Sequence, residues 1–299
     1  MSRTCGFAAI IGAPNVGKST LVNTLVGEKV SIVTHKAQTT RMAIRGIMMD
    51  GDSQIVLVDT PGLFQAKKRF EKAMVAAIHQ TLAETDVVIH MIDALKGIQE
   101  TDQQIQKLLK DSRKPSAVVV NKVDAIAAKP QLLPMMKALA DSSLYAEIFP
   151  LSAQSGDGVA PLRKFLASAM PEGPWLFDAE QLSDLPQQLM AAEVVREKLM
   201  LYVHDEIPYD LIVVPQEWEL FNNGSVKIRQ NILVARDSQK QIVLGKGGSK
   251  IKQIRVEAQQ DLQNMLEKPV HLFLDVKVDA KWMDRAALYQ GIGLNFGEG

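Results

Sequence analysis

Eight residues constrain this 299-residue chain more than any other stretch: Gly12, Ala13, Pro14, Asn15, Val16, Gly17, Lys18 and Ser19, in the spacing G-x-x-x-x-G-K-[ST]. The run before them, Gly6–Ile11, is apolar and too short for a helix, and the run after them, Lys18–Gly27, is amphipathic. Between a strand and a helix, such a loop curls so that several backbone N–H groups aim at one phosphate, and the helix N-terminus adds partial positive charge. Lys18 is then placed to reach the β- and γ-phosphates. Ser19, with Thr20 behind it, brings a hydroxyl to where Mg²⁺ would bind.

The first 170 residues continue in the same alternation. Short apolar runs at Ile55–Val58, Val87–Asp93, Ala117–Asn121 and Glu147–Ser152 are separated by amphipathic stretches at Phe70–Glu84, Gln99–Lys110, Gln131–Asp141 and Val159–Met170. This predicts an α/β domain, a mostly parallel sheet with helices on both faces. Ala43–Met49 and Ile55–Val58 flank Asp50-Gly51-Asp52-Ser53, a hairpin signal that adds one antiparallel edge strand.

Pro171-Glu172-Gly173-Pro174 breaks the pattern, and Trp175–Gln187 carries three acids and no Lys or Arg. The expected division is a first domain over 1–172, a linker over 173–187 and a second domain over 188–299. The second reads α-β-β-α-α-β-α: a helix over 188–202, strands near Leu211–Glu217 and Val226–Ala235, a short helix Gln239–Leu244, a longer one Ser249–Leu266, a strand Val270–Lys277 and a last helix Lys281–Leu288. That order is an α+β layer.

Two further motifs choose the ligand of the first domain. Asn121-Lys122-Val123-Asp124 ends an apolar strand, where ligands of open α/β sheets lie. The carboxylate of Asp124 can accept both donors of a guanine edge, which adenine lacks. Asn121 suits a polar contact on the other side of the base, and the stem of Lys122 can cover the purine. Asp59-Thr60-Pro61-Gly62 follows the strand Ile55–Val58, so Asp59 can hold Mg²⁺ through water and the Gly62 N–H can sense a γ-phosphate. Ser152-Ala153 can close over the base with backbone N–H groups. Val30–Arg41 lacks helical periodicity and contains Gln38, Thr39, Thr40 and Arg41; folded over the nucleotide, it would bring a threonine hydroxyl to Mg²⁺. Spacing does not separate Thr39 from Thr40.

Composition excludes several classes. Lys plus Arg and Asp plus Glu balance at 34 each, and apolar residues make up 46%, as in ordinary globular proteins. Cys5 is the only cysteine, which rules out an intrachain disulfide or a multi-cysteine metal site and fits a reducing compartment. No apolar run is long enough to span a membrane. The first residues lack the basic start and cleavage site of a signal peptide, so none is expected. The five histidines form no metal-ligand pair.

The neutral total hides one patch. From Arg236 to Arg255 there are six basic residues and one acid; from Val256 onward there are four and seven. The basic run surrounds Gly245-Lys246-Gly247-Gly248 and includes Arg236, Lys250 and Lys252. Glycines let a nucleic-acid backbone come close to a helix N-terminus, and bases can lie over Ile242 and Ile251. A solvated helix face is the alternative.

Taken together, P-N-V-G-K-S, Q-T-T-R, D-T-P-G and N-K-V-D resemble the Era/TrmE branch of the TRAFAC class of translation-related GTPases. The carboxyl half, with its G-K-G-G between two helices, is similar to a type II KH domain and narrows the resemblance to the Era family. The resemblance implies a GTP-hydrolysing switch that uses Mg²⁺, with Ser19, Thr40 and Asp59 around the metal, Gln38–Arg41 as switch I and Asp59, Thr60, Pro61, Gly62 and Leu63 as switch II. It implies binding of single-stranded rRNA at the 3′ end of the small-subunit rRNA, a role in assembly of the 30S subunit, a cytoplasmic monomer, and peripheral contact with the inner face of the cell membrane. Leu63 stands where many GTPases have a glutamine to orient the attacking water, so intrinsic hydrolysis is expected to be slow unless another group places the water. Asn15 resembles the K⁺ ligand of related GTPases; plain loop chemistry is the equal alternative. The tail Gly291-Ile-Gly-Leu-Asn-Phe departs from that expected of the family. A GTPase coupled to tRNA modification is the rival within the branch. It would need a catalytic cysteine or a partner subunit, and Cys5 lies just before the first strand, not in a carboxyl-terminal tail.

Overall fold

The computed structural model describes residues 2–36, 39–62, 78–203, 207–285 and 288. They form two compact units, Met1–Asp184 and Leu185–Gly299.

In the first unit, β1 (Thr4–Gly12) leads into α1 (Lys18–Val26), and the hairpin β2 (Ile44–Asp50) and β3 (Ser53–Asp59) follows. A helix α2, described over 78–84, precedes β4 (Val87–Asp93). Then come α3 (Glu100–Ser112), β5 (Ser116–Asn121), α4 (Leu133–Asp141), β6 (Ile148–Pro150) and α5 (Val159–Ala169). The expected helix Phe70–Glu84 lies partly outside the described residues. The sheet order is β2-β3-β1-β4-β5-β6, parallel throughout except for β2, which pairs antiparallel with β3 at the edge. Every residue of β4 and β5 is buried, because helices cover both faces. One core lies under α1 and α5 and another under α3. β6 is shorter than the run Glu147–Ser152 suggests. Beyond Pro150 the chain turns, with the Ser152 N–H donated to the Asp157 carbonyl at 2.9 Å.

His90 stands buried in β4. Its Nδ1 lies 2.7 Å from the Tyr145 hydroxyl and its Nε2 3.2 Å from Asp102. Burial lowers its pKa more than the Asp102 carboxylate raises it. Cys5 is buried in β1, with its Sγ 3.5 Å from Gln54 Oε1.

The segment after α5 runs along the β2–β3 edge. The fully buried Gln54 accepts the N–H groups of Leu176 (2.8 Å) and Phe177 (3.0 Å) on Oε1 and donates Nε2 to the Phe177 carbonyl (2.8 Å). Trp175 donates its indole N–H to the Asp52 carbonyl, and the Arg3 guanidinium lies 4.2 Å from its ring centre. Ile47 N–H meets the Leu182 carbonyl at 2.8 Å, and Arg45 pairs with Asp184 at 2.9 Å. These contacts cover an edge strand that would otherwise expose unpaired backbone.

The second unit has α6 (Gln187–Tyr202), β7 (Leu211–Leu220), β8 (Val226–Val234), α7 (Asp237–Leu244), α8 (Ser249–Leu266) and β9 (Val270–Val278). Its sheet is β7-β8-β9, with β7–β8 antiparallel and β8–β9 parallel. The core residues of β8 alternate along the strand, Val226, Ile228, Ile232 and Val234, and meet Val194, Ile254 and Ala258 of the helices. The start of the expected helix Lys281–Leu288 is corrected: Trp282–Asp284 forms a 3-10 turn and Arg285 is extended at φ −86°, ψ 97°, while Leu288 is helical and donates its N–H to the Arg285 carbonyl at 3.0 Å. Asp279 accepts the Lys281 N–H on Oδ1 and holds the Arg285 guanidinium at 3.1 Å, a local turn that competes with helix. The remainder of that stretch and the tail, apart from Leu288, lie outside the described residues.

Candidate functional site

At the carboxyl edge of the first sheet, the loop between β1 and α1 faces the ends of β3, β4 and β5. Asn15 (φ 63°) and Gly17 (φ 103°) take left-handed conformations that bend the loop back on itself. A Cβ on Gly17 would lie 2.4 Å from Asn121 Nδ2, so glycine is required there by both backbone and neighbour. Lys18 folds under the loop and donates to the carbonyls of Gly12 (3.1 Å) and Ala13 (3.0 Å). Burial lowers its pKa to about 8, against the opposing Asp59 carboxylate.

Three oxygens converge beside it. Ser19 Oγ donates to Asp59 Oδ2 at 2.6 Å, Thr40 Oγ1 lies 2.9 Å from Ser19 Oγ, and Thr40 Oγ1 donates to Asp59 Oδ2 at 3.3 Å. Asp59 is fully buried; burial raises its pKa, with the Ser19 hydroxyl and Lys18 acting against it. Among the described residues, its Oδ1 is buried without a hydrogen-bond partner. A cluster of oxygen donors around an unsatisfied carboxylate oxygen suits a hard divalent cation such as Mg²⁺. Thr39 points elsewhere, to Thr34 Oγ1 (2.7 Å) and the Lys36 carbonyl (2.7 Å). Arg41 is buried beside this loop.

Thr60 donates to the Ile10 carbonyl at 2.8 Å. Pro61 is buried, and Gly62 comes so close to the loop that an added Cβ would be 2.9 Å from Pro14 N. Gln38 and Leu63 lie outside the described residues.

On the base side, Asn121 joins two loops. Its Nδ2 donates to the Val16 carbonyl and its Oδ1 accepts the Ala153 N–H, both at 2.8 Å. Thr24 adds a bond from α1 to the Ala153 carbonyl at 2.6 Å. Lys122, at φ 66°, sends Nζ to the Asn15 carbonyl (2.8 Å) and to Asp93 (2.7 Å). Asp124 is exposed in a 3-10 turn, and Ser152 is buried. Asn15 Nδ2 donates to the His35 carbonyl at 2.8 Å, fastening the 30–41 loop to the phosphate loop. Between these walls lies a cavity of about 420 Å³, lined by Lys18, Ser19, Thr40, Gly62, Lys122 and Gln154 among others. Thr20 lines it as well. Thr24, His35 and Asp93 were absent from the motif reading. Only Asp93 carried a signal, as a carboxylate closing an apolar parallel strand at the ligand edge.

In the second unit, Gly245, Lys246, Gly247 and Gly248 join α7 to α8 through a 3-10 turn. Gly245 (φ 71°) has no room for a Cβ, which would lie 2.7 Å from Lys250 Cβ. Arg236, Lys246 and Lys252 are exposed around this loop and Lys250 is half-buried. Ile242 is exposed, and Ile251 packs partly against the core.

A phosphate loop, a guanine-type base loop and a threonine-bearing switch on one parallel sheet define a P-loop GTPase, here followed by a KH-type layer. A family model described as a 50S ribosome-binding GTPase matches residues 7–122, and one described as a KH domain matches residues 206–283. GTPase Era of Maricaulis maris is 47% identical over 308 residues, with 98% of each chain covered. GTPase Era of Rhizobium meliloti is 46% identical over 291 residues, with 97% of this chain and 93% of its own covered. Two solved Era structures each superpose with a TM-score of 0.93 at 38% identity, covering 98% of this chain and 100% of theirs. One holds MgGDPNP and nucleotides 1506–1542 of 16S ribosomal RNA; the other is a variant of Aquifex aeolicus Era bound to GDP·AlF4⁻. The chain belongs to the Era family of GTPases.

Proposed function

We propose that this GTPase is a nucleotide-driven switch that binds single-stranded rRNA at the 3′ end of the small-subunit rRNA and acts in assembly of the 30S subunit. We take 1–172 as the GTPase domain, 173–187 as the connecting segment and 188–299 as the RNA-binding domain. What carries the proposal is the likeness, across both units, to Era in complex with MgGDPNP and a 16S rRNA segment. We place the protein in the cytoplasm as a monomer in peripheral contact with the membrane; no helix among the described residues is long and apolar enough to cross one.

The loop Gly12–Lys18 binds the phosphates through backbone N–H groups, and the phosphate charge keeps Lys18 protonated despite its burial. Ser19 and Thr40 would hold Mg²⁺ directly and Asp59 through water; the ion supplies positive charge between the β- and γ-phosphates. Thr40 contributes only while its loop is closed, which makes residues 38–41 the nucleotide-sensing segment. Gly62, lying against Pro14, senses the γ-phosphate with its N–H. Asp124 accepts the two guanine donors and Asn121 fixes the loops on either side of the base; the N–H groups of Ser152 and Ala153, expected to face the base, are instead given to Asp157 and Asn121, so these residues brace the loop beside it. Asn15 spends its amide nitrogen on His35, and its Oδ1 is the atom that K⁺ would use. A hydrolysis rate that falls when Na⁺ replaces K⁺, with the difference lost in Asn15→Ala, supports the cation; a rate indifferent to the ion leaves Asn15 as a loop tether.

RNA approaches Gly245–Gly248, where small residues admit the backbone and Arg236, Lys246, Lys250 and Lys252 meet the phosphates, with bases over Ile242 and Ile251. Filter binding of an oligonucleotide from the 16S 3′ end, at one fixed salt concentration, tests this. The double variant Lys246→Asp with Gly247→Asp should bind about tenfold more weakly or worse, with GTP affinity unchanged. Undiminished RNA binding would refute the assignment. Charge reversal at Lys67, Lys68 and Arg69 would then test the first domain as the RNA site.

A further inference from the structure

Asp93 closes β4 at the ligand edge of the sheet and belongs to none of the motifs above. The turn after β4 fixes its carboxylate. Oδ1 accepts the Leu95 N–H at 3.0 Å, and the Asp93 carbonyl accepts the N–H groups of Lys96 (3.1 Å) and Gly97 (3.0 Å). The other oxygen, Oδ2, meets Lys122 Nζ at 2.7 Å. The carboxylate side chain is 7% exposed and the lysine side chain 34%, so this pair is shielded on the Asp93 side and open on the cavity side.

Lys122 makes a second contact at its far end, with the Asn15 carbonyl at 2.8 Å. Its main chain is held too, with φ at 66° and the following N–H, of Val123, donated to the Leu151 carbonyl at 3.3 Å. The ammonium is therefore pinned between β4 and the phosphate loop, and the backbone is pinned at the end of β5. The four-carbon stem between them lines the nucleotide cavity. A free lysine side chain samples many rotamers. A stem ordered beforehand does not lose that freedom when a flat base settles on it, so preorganisation appears as slower ligand release.

We propose that Asp93 is a positioning residue for the guanine nucleotide, holding Lys122 so that its stem stands ready as an apolar cover for the purine face. This rests on reading residues 121–124 as the base site. Asp93 acts through Lys122 and on the base plane; base-edge selectivity stays with Asp124.

The test is GDP release, followed by stopped-flow fluorescence with an N-methylanthraniloyl-labelled GDP on the full chain. Asp93→Asn keeps the size and an acceptor for the Leu95 N–H but removes the ion pair. Release should accelerate about five- to tenfold. Lys122→Ala should accelerate release as well, and adding Asp93→Asn to it should give no further change. Asp93→Ser can still accept the Leu95 N–H but is too short for Lys122; it should match Asp93→Asn and serves if that variant folds poorly. Equal acceleration by Asp93→Asn in the parent and Lys122→Ala backgrounds would overturn the proposal, since Asp93 would then act through its turn. So would unchanged release in Asp93→Asn when Lys122→Ala accelerates it. Unchanged release in Lys122→Ala alone would bring down the base-site reading itself, and the positioning role with it.

Discussion

Replacing Asn121 by Ala should unfasten two loops at once. The side chain is 2% exposed and makes two bonds of 2.8 Å, to the Val16 carbonyl and from the Ala153 N–H. Truncation leaves both backbone groups without these partners, at about 1–3 kcal/mol each. The site borders a cavity, so water can reach part of the vacated space, and about 3 kcal/mol is the expected loss. For a unit the size of Met1–Asp184, each kcal/mol lowers the midpoint by roughly 2–4 °C, so the melting temperature should fall by about 6–12 °C. GDP affinity should fall at least about tenfold, because both loops that frame the base lose their tie. Asn121→Asp is the sharper variant. Its carboxylate can still accept the Ala153 N–H but faces the Val16 carbonyl with an acceptor, so it should be at least as destabilised as Asn121→Ala. Thermal melts by circular dichroism and GDP titration by calorimetry measure both effects. A melting temperature within about 1 °C of the parent for Asn121→Ala would refute the idea that this side chain holds the loops together.

Thr40→Ala should leave GDP affinity nearly unchanged and slow GTP hydrolysis, whereas Thr39→Ala, whose hydroxyl bonds within its own loop, should leave hydrolysis intact; nucleotide titrations and phosphate release measure the two, and equal effects of both variants would contradict the geometry. Asp124→Asn should exchange preference from GTP to xanthosine triphosphate, because xanthine presents a carbonyl where guanine has its amine; GTP binding equal to the parent's would dismiss the guanine contact. His90 has its pKa lowered by burial, so below about pH 6.5 the unfolded chain takes up a proton that the folded one does not, and stability falls as the pH drops through that window. His90→Gln lacks this titration, so the gap in melting temperature between parent and variant should narrow from pH 7 to pH 5; a pH-independent gap would argue against a neutral buried histidine.

Much of the architecture was legible along the chain because it rests on local rules. The spacing Gly12–Ser19 needs a strand before it and a helix after it, and β1 and α1 stand there. The apolar run Val87–Asp93 matches β4 residue for residue, and Ser249–Leu266 matches α8, since strand and helix periods are properties of a few consecutive residues. The expectation that Asp124 selects guanine is local for a similar reason: the chemistry belongs to one side chain just past a strand end. Other features came only with the tertiary structure. Asn121 reaches Val16 and Ala153, and Gln54 reaches Phe177, across separations of 105, 32 and 123 residues. No periodicity encodes such pairs, because they depend on which strand lies beside which. The choice between the adjacent hydroxyls of Thr39 and Thr40, left open by spacing, turned on the path of a loop relative to Asp59. The acidic stretch after Pro174 reads as a linker, and where it packs came only with the fold: it lies on the β2–β3 edge, where backbone bonds and a buried amide hold it. The first residues of the helix expected from Lys281 form a 3-10 turn instead, because Asp279 offers its carboxylate to the same backbone. Sequence determined the elements and their chemistry, since both are local; the folded chain decided their partners, since a contact's energy depends on the distance between residues in space.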